Sequence, residues 1–287
     1  SNTKYNYTLD FYPGDFNTSI TQADVTNIIG GFTGNFVANI NGISSEMLID
    51  IDDNAFSGTN ITSVIIGNYV ESIGGSAFNN CAYLTNVSIG SGIQTIGASA
   101  FLNCQNLQTV KIPSKMYNTC NSAYFSSGTA IQYTYYCVLS ASNKDGIITA
   151  YDVEAQLGVD TTFNSTISIT FDSSVHIIGD NAFNGNPWVD SIIMPPTIVS
   201  IGDYAFANCA NMESLVCIGG DTSLLYSIGD YACYNCGQLS TVVLPLSLLN
   251  IGVMAFVECS NLYSVVLPII FDYSYMTNTT AYFVTTN

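Results

Sequence analysis

The chain has 287 residues, of which 9% are charged, with 4 Lys+Arg against 21 Asp+Glu and a net charge of −17. So few cations cannot release the counterions of a phosphate backbone, which argues against nucleic acid and anionic membrane as partners. A hydrophobic share of 48% argues against disorder, and no apolar run approaches the roughly 20 residues needed to insert across a bilayer. The leading Ser1-Asn2 reads as a remnant of an expression vector, so the lack of a visible signal peptide says little about export.

The first 50 residues read as strand, short helix, strand. Thr21 stands where a helix N-cap would, with Asp24 in the first turn. A shortened repeat follows, Ile51…Ala55-Phe56…Ile61…Val64…Ile66. Two full copies come next, Ile73-Gly…Ala77-Phe78…Cys81…Leu84…Val87…Ile89 and Ile96-Gly…Ala100-Phe101…Cys104…Leu107…Val110…Ile112-Pro113. Residues Ser114 to His176 break the frame, but they are not mere linker. Ile148-Thr149…Asp152-Val153 repeats Ile20-Thr21…Asp24-Val25, so Thr149 is a second expected N-cap. Four more copies start at Ile178, Ile201, Ile228 and Ile251, and Ala123-Tyr124-Phe125 is echoed by Ala281-Tyr282-Phe283. Successive Ile positions differ by 22, 23, 23, 27 and 23 residues within the two runs. The chain therefore reads as a tandem duplication, with a first capped module over 1–125 and a second over 126–287.

Each copy has a physical reading. The segment L-x-x-V-x-[IL] alternates as a short strand with its apolar side inward, and Pro or Gly closes it. Ile, Ala, Phe and Cys in I-G-x-x-A-F-x-x-C fall at near-helical spacing, which predicts a turn into a short helix. Asp180, Asp203 and Asp230 stand where N-cap carboxylates would. No copy can bury its own apolar face, so copies must stack. The expected fold is an α/β repeat solenoid of about seven copies, with strands on one face, short helices and turns on the other, and atypical end units.

The I-G-[D]-x-A-F-x-x-C-x-x-L-x-x-V-x-[IL]-P frame resembles the BspA-like leucine-rich repeat family of bacterial and protist surface proteins. The match covers 51–113 and 178–268. The resemblance implies a right-handed leucine-rich-repeat stack, a secreted or cell-surface location, and adhesion to protein or extracellular-matrix ligands.

Candidate chemistry is sparse. His176 is the sole histidine, so neither a catalytic triad nor a histidine metal site can be assembled. Cys81, Cys104, Cys209, Cys236 and Cys259 share one repeat position and should stack as a buried column. Cys233-x-x-Cys236 has a redox spacing, yet Cys233 stands where other copies have Phe. Cys120 and Cys137 lie outside the frame, and a bond between them is left open. The aspartates, including Asp50, Asp52 and Asp53, match no calcium-loop spacing. Six N-x-[ST] sequons, at Asn6, Asn17, Asn60, Asn86, Asn164 and Asn278, are about what chance supplies in so Asn-, Ser- and Thr-rich a chain. No enzyme activity, cofactor or metal is expected.

Alternation also assigns the outward strand residues. In the second half they form a column Ile193, Val216, Val243, Val266, beside Ser191, Ser214, Thr241, Ser264 and then Asp190, Glu213, Ser240, Tyr263. The first-half equivalents are Ile65, Ser88, Lys111 and Ser63, Asn86, Thr109. An exposed aliphatic stripe suggests a contact surface. Protein binding by this face is the expected function, with a non-binding spacer or surface-layer element as the rival.

Overall fold

A computed structural model describes residues 7–12, 18–41, 48–119, 124–125, 131–159 and 163–266, with the side chains of 118–119 left aside. Cys120, the Ala281-Tyr282-Phe283 echo, Leu267-Pro268 and the sequons at Asn6, Asn17 and Asn278 lie outside these residues. The chain divides into two compact units, Ser1–Tyr135 and Tyr136–Asn287. The division falls after Tyr135, beyond the boundary after Phe125 that the sequence suggested. No helix among the described residues is long and apolar enough to cross a membrane.

Unit 1 holds two sheets of parallel strands. The longer strands are β1 (Tyr7–Phe11), β3 (Phe36–Ile40), β5 (Ile61–Ile66), β7 (Asn86–Ile89) and β9 (Thr109–Pro113), in that order. The shorter strands are β2 (Ser19–Ile20), β4 (Ile49–Ile51), β6 (Val70–Ile73) and β8 (Thr95–Ile96). Strand β10 (Gln132–Leu139) runs across the division. Unit 2 repeats the plan with longer strands β12 (Ile167–Phe171), β14 (Val189–Met194), β16 (Ser214–Cys217), β18 (Thr241–Val243) and β20 (Ser264–Val266). Its short strands are β11 (Ile147–Ile148), β13 (Ile177–Ile178), β15 (Ser200–Ile201), β17 (Ser227–Ile228) and β19 (Asn250–Ile251). Each turn of chain thus gives one longer and one shorter strand, and consecutive turns pair in register. This is the leucine-rich-repeat solenoid expected from the frame.

The first turn of each run carries a helix, α1 (Gln22–Ile29) and α2 (Ala150–Leu157). Both begin with the capping box expected at Thr21 and Thr149. The threonine hydroxyl accepts from the Asp24 or Asp152 N–H, and the aspartate accepts from the threonine N–H at 2.9 Å in both. Both end on a left-handed glycine, Gly30 and Gly158.

Elsewhere the side opposite the longer strands corrects the sequence reading. The I-G-x-x-A-F-x-x-C segments are turns, with no helix in any described copy. Two residues per copy sit in the left-handed region, the one before Ala (Asn54, Ser76, Ser99, Asn181, Tyr204, Tyr231, Met254) and the one before Cys (for example Asn80, Asn103, Asn208, Asn235). A right-handed helix cannot pass through them. The backbone bonds therefore run between copies. The Phe56, Phe78, Phe183 and Phe206 N–H groups donate to Ala77, Ala100, Ala205 and Ala232 carbonyls of the next copy, all at 2.7 Å. The helical spacing of Ile, Ala, Phe and Cys arose because those four side chains all point inward from these turns.

The aspartates are corrected for the same reason. Asp180 Oδ1 accepts from the Asp203 N–H at 2.9 Å, Asp203 from Asp230 at 2.8 Å, and Asp230 from Val253 at 2.6 Å. They tie one copy to the next and cap no helix. The asparagines before Cys do likewise through their side chains, with Asn103 Nδ2 to Asn80 Oδ1 at 3.0 Å and Asn235 Nδ2 to Asn208 Oδ1 at 2.9 Å.

Inside unit 1, Phe56, Phe78, Phe101 and Phe125 stack with centroids 5.0, 4.9 and 5.0 Å apart. Phe125, from the Ala-Tyr-Phe segment, is thus the last ring of that column. In unit 2, Phe183 and Phe206 stack at 5.0 Å. Cys233 then takes the ring's place and makes the same backbone bond, to the Ala255 carbonyl at 2.7 Å. All these side chains are buried.

Candidate functional site

The longer strands set the geometry of the outward face. Their inward residues are buried in a period of two, as in β12 and β16, and the residues between them point to solvent. In unit 2 the register pairs Ser168–Ser191–Ser214–Thr241–Ser264 across successive strands. It likewise pairs Thr170–Ile193–Val216–Val243, ending on Val266. The residues assigned from alternation therefore lie together in two adjoining columns. Sequence reasoning missed their first members, Ser168 and Thr170, although the alternating Ile167-Ser-Ile-Thr-Phe171 carried the signal.

Exposure along the aliphatic column is uneven. Ile193 is 37% exposed and Val266 52%, whereas Val216 and Val243 are half-buried between their neighbours. Tyr263, beside the hydroxyl column, is 82% exposed, and Glu213 is exposed. Asp190 is occupied: its carboxylate accepts from the Thr166 and Ser191 hydroxyls, both at 2.8 Å. The face thus offers an aliphatic stripe, a line of hydroxyls and one carboxylate, Glu213, with no side-chain partner among the described residues.

Unit 1 has the same register and different chemistry. Its equivalent column is Asp10–Asn39–Ile65–Ser88–Lys111, with Asn39 donating to Asp10 at 2.7 Å. The neighbouring column includes Ser63–Asn86–Thr109, where Thr109 donates to Asn86 at 2.7 Å. Stacking does not demand an aliphatic residue at every one of these outward positions, since unit 1 stacks with Ser88 and Lys111 where unit 2 has Val216 and Val243.

The cysteines form the buried column that the frame predicted. The thiols of Cys81, Cys104, Cys209, Cys236 and Cys259 each donate to the carbonyl at the Phe position of the preceding copy, at 3.0–3.2 Å. Thr59, which holds that position in the shortened copy, bonds the Phe56 carbonyl with its hydroxyl at 2.8 Å. The position selects a small buried donor, not a reactive thiol. The Cys137 thiol donates to the Gln156 carbonyl at 3.4 Å.

Burial pushes the Cys209 and Cys217 thiols up to about 12 and holds Cys233 well above the ordinary value of 9.0. The folded values exceed the unfolded one, so this stability is fully present below pH 9 and is lost as pH rises toward 12. Alkylation of Cys209, Cys217 and Cys233, followed residue by residue by mass spectrometry, is expected to stay slow near pH 9 and rise together with loss of the β-sheet circular dichroism signal. Fast alkylation near pH 9 with the fold intact would contradict this placement of the thiols.

The other candidates are accounted for locally. The His176 ring is exposed and contacts the Ser174 carbonyl at 3.0 Å. Asp50, Asp52 and Asp53 line an open depression with Ser72, where Asp50 accepts from Ser72 at 2.5 Å and Asp53 from the Gly75 N–H at 2.6 Å. No group of three metal-binding side chains is arranged for an ion among the described residues.

Among curated proteins none matches the chain by sequence. Solved structures similar to it include the pneumococcal vaccine antigen PcpA, at 17% identity and TM-score 0.34 over 91% of this chain and 66% of that one. A leucine-rich repeat protein from Bacteroides ovatus is 18% identical, with TM-score 0.31, over 98% and 92% of the two chains. A leucine rich cell surface protein from Faecalibacterium prausnitzii is 18% identical, with TM-score 0.27, over 83% and 86%. This chain spans just under two thirds of PcpA's length. The model of the BspA type leucine rich repeat region matches residues 17–137 and 161–279 in 6 copies. The repeat that builds both units and both faces is that family's own, and the chain belongs to the BspA-type leucine-rich repeat family.

Proposed function

We propose that the chain is a cell-surface or secreted recognition module without catalytic activity, and that the strand face of unit 2 binds a protein or extracellular-matrix ligand. The observation that carries this reading is the contrast between units. At equivalent outward positions unit 1 has Ile65, Ser88 and Lys111, and unit 2 has Ile193, Val216 and Val243, so the units differ at the second and third positions. Apolar side chains kept at solvent-facing positions, where the same fold accepts polar ones, fit a contact surface. The hydroxyls of Ser191, Ser214, Thr241 and Ser264, with Glu213 and Tyr263, would form its polar and aromatic margin. Family membership supports a surface location.

The double variant Val216→Lys plus Val243→Lys tests this. Both side chains are half-buried on the outer face, so the fold should persist, with each change costing about 1 kcal/mol or less in strand preference. Ligands captured from extracellular protein mixtures by the natural chain should bind the variant about 100-fold more weakly, as for loss of two central contacts. A ligand that binds both forms equally would remove the strand face from the account.

A further inference from the structure

A second set of outward positions, on the turn side, also differs between units. Two residues before the repeat's Ile, unit 1 has Glu71 and Gln94, joined side chain to side chain at 2.6 Å. Unit 2 has His176, Val199, Tyr226 and Leu249 there, so its last three copies carry apolar or aromatic side chains at that position. The backbone is the same in both: Gln94 N–H meets the Glu71 carbonyl at 2.8 Å, and Leu249 N–H meets that of Tyr226 at 2.9 Å. Three residues after the Ile, unit 1 has Asn54, Ser76 and Ser99, whereas unit 2 has Asn181, Tyr204, Tyr231 and Met254.

That last position is left-handed in every copy, with φ of 59° at Asn54, 55° at Tyr204 and Tyr231, and 54° at Met254. Asparagine tolerates the left-handed region well, but tyrosine and methionine have no such preference. The backbone therefore does not account for Tyr204, Tyr231 and Met254. Their side chains must.

Those side chains form a surface. The Tyr204 and Tyr231 rings stack at 4.9 Å and 3°. In the copy of Tyr231 and the next one, Tyr226 is 45% exposed, Leu249 73%, Val253 49% and Met254 38%. Asp180, Asp203 and Asp230 run alongside, all exposed, each with one carboxylate oxygen committed to the next copy. Lys144 is the only Lys or Arg between residues 136 and 287 of the sequence, so the chain has almost nothing of its own to neutralise them.

We propose that this turn-side surface of unit 2 is a second docking site, separate from the strand face, for an extended basic segment of another protein. Arginine fits best. Its guanidinium can pair with a carboxylate and lie against a tyrosine ring, while aliphatic residues between arginines cover Leu249 and Val253.

The test uses the full chain and two labelled synthetic peptides, one of repeated Arg-Leu-Ser and one of repeated Glu-Leu-Ser, with binding read by fluorescence anisotropy. The variant Tyr204→Ser, Tyr231→Ser, Leu249→Gln takes residues that unit 1 already carries at those positions. The basic peptide should bind the natural chain and bind the triple variant about 10-fold or more weakly, as for loss of an aromatic anchor. The acidic peptide should not bind. Leu249→Gln alone, at a largely exposed side chain, should show part of the same loss if the triple variant folds poorly. The Val216→Lys, Val243→Lys variant should bind the basic peptide as the natural chain does, which separates this site from the strand face. Equal binding by the triple variant, no binding of the basic peptide, or a dimer in light scattering that the triple variant abolishes would each overturn the proposal.

Discussion

Phe206→Ala is expected to lower the unfolding free energy by roughly 3–5 kcal/mol, the range for removing a fully buried aromatic side chain. Phe206 is 0% exposed and stacks on Phe183 at 5.0 Å. Its other neighbour in the column is the smaller Cys233, whose backbone bond matches that of the rings below it. Truncation would leave two adjacent copies without a ring, and a solenoid holds together only through neighbouring copies. Denaturant unfolding followed by circular dichroism measures the loss. A change below about 1 kcal/mol would mean that the surroundings close over the gap, against the rigid packing of protein interiors.

Gly229→Ala should also be harmful, for a different reason. A Cβ there would lie 2.6 Å from the Gly202 carbonyl carbon and 2.7 Å from the Asp203 nitrogen. Both are backbone atoms of the preceding copy and cannot rotate away. The glycine after each Ile lets consecutive copies approach closely where the aspartate ladder crosses. Forcing them apart should cost roughly 1–3 kcal/mol or more as overpacking. Gly237→Ala is the control, because its Cβ would meet nothing nearer than the Ser260 hydroxyl at 3.8 Å. That change should be neutral within about 0.5 kcal/mol, or slightly stabilising through the unfolded chain. Equal effects at the two glycines would show that close approach is not what fixes Gly229.

Much of this structure was legible in the residues. The pattern Ile-Thr-x-x-Asp located both helices, because a capping box is a local device with a local signature. Alternation placed Ile193, Val216 and Val243 outward, because strand side chains alternate whatever packs on them. The turn side was misread because spacing alone cannot separate a helix from a turn whose inward residues recur at similar intervals. The contrary signal was present in Asn80, Asn103, Asn208 and Asn235, a residue type favoured in the left-handed region at one fixed repeat position. Helix logic also made N-caps of Asp180, Asp203 and Asp230, whose partners lie in the next copy and so 23 to 27 residues away in sequence. The turn-side surface around Tyr204, Tyr231 and Leu249 stayed hidden for that reason: which of these side chains face outward follows from the turn geometry.

Hydroxyl-radical footprinting of the chain with a captured ligand reads out whether unit 2 binds through its strand face, as proposed. The ligand should protect Ile193, Val266 and Tyr263, which are open to solvent in the free chain, and leave Ile65 of unit 1 as reactive as before. Unchanged reactivity at those three residues, with protection confined to unit 1 or to the turn side around Leu249, would contradict that proposal.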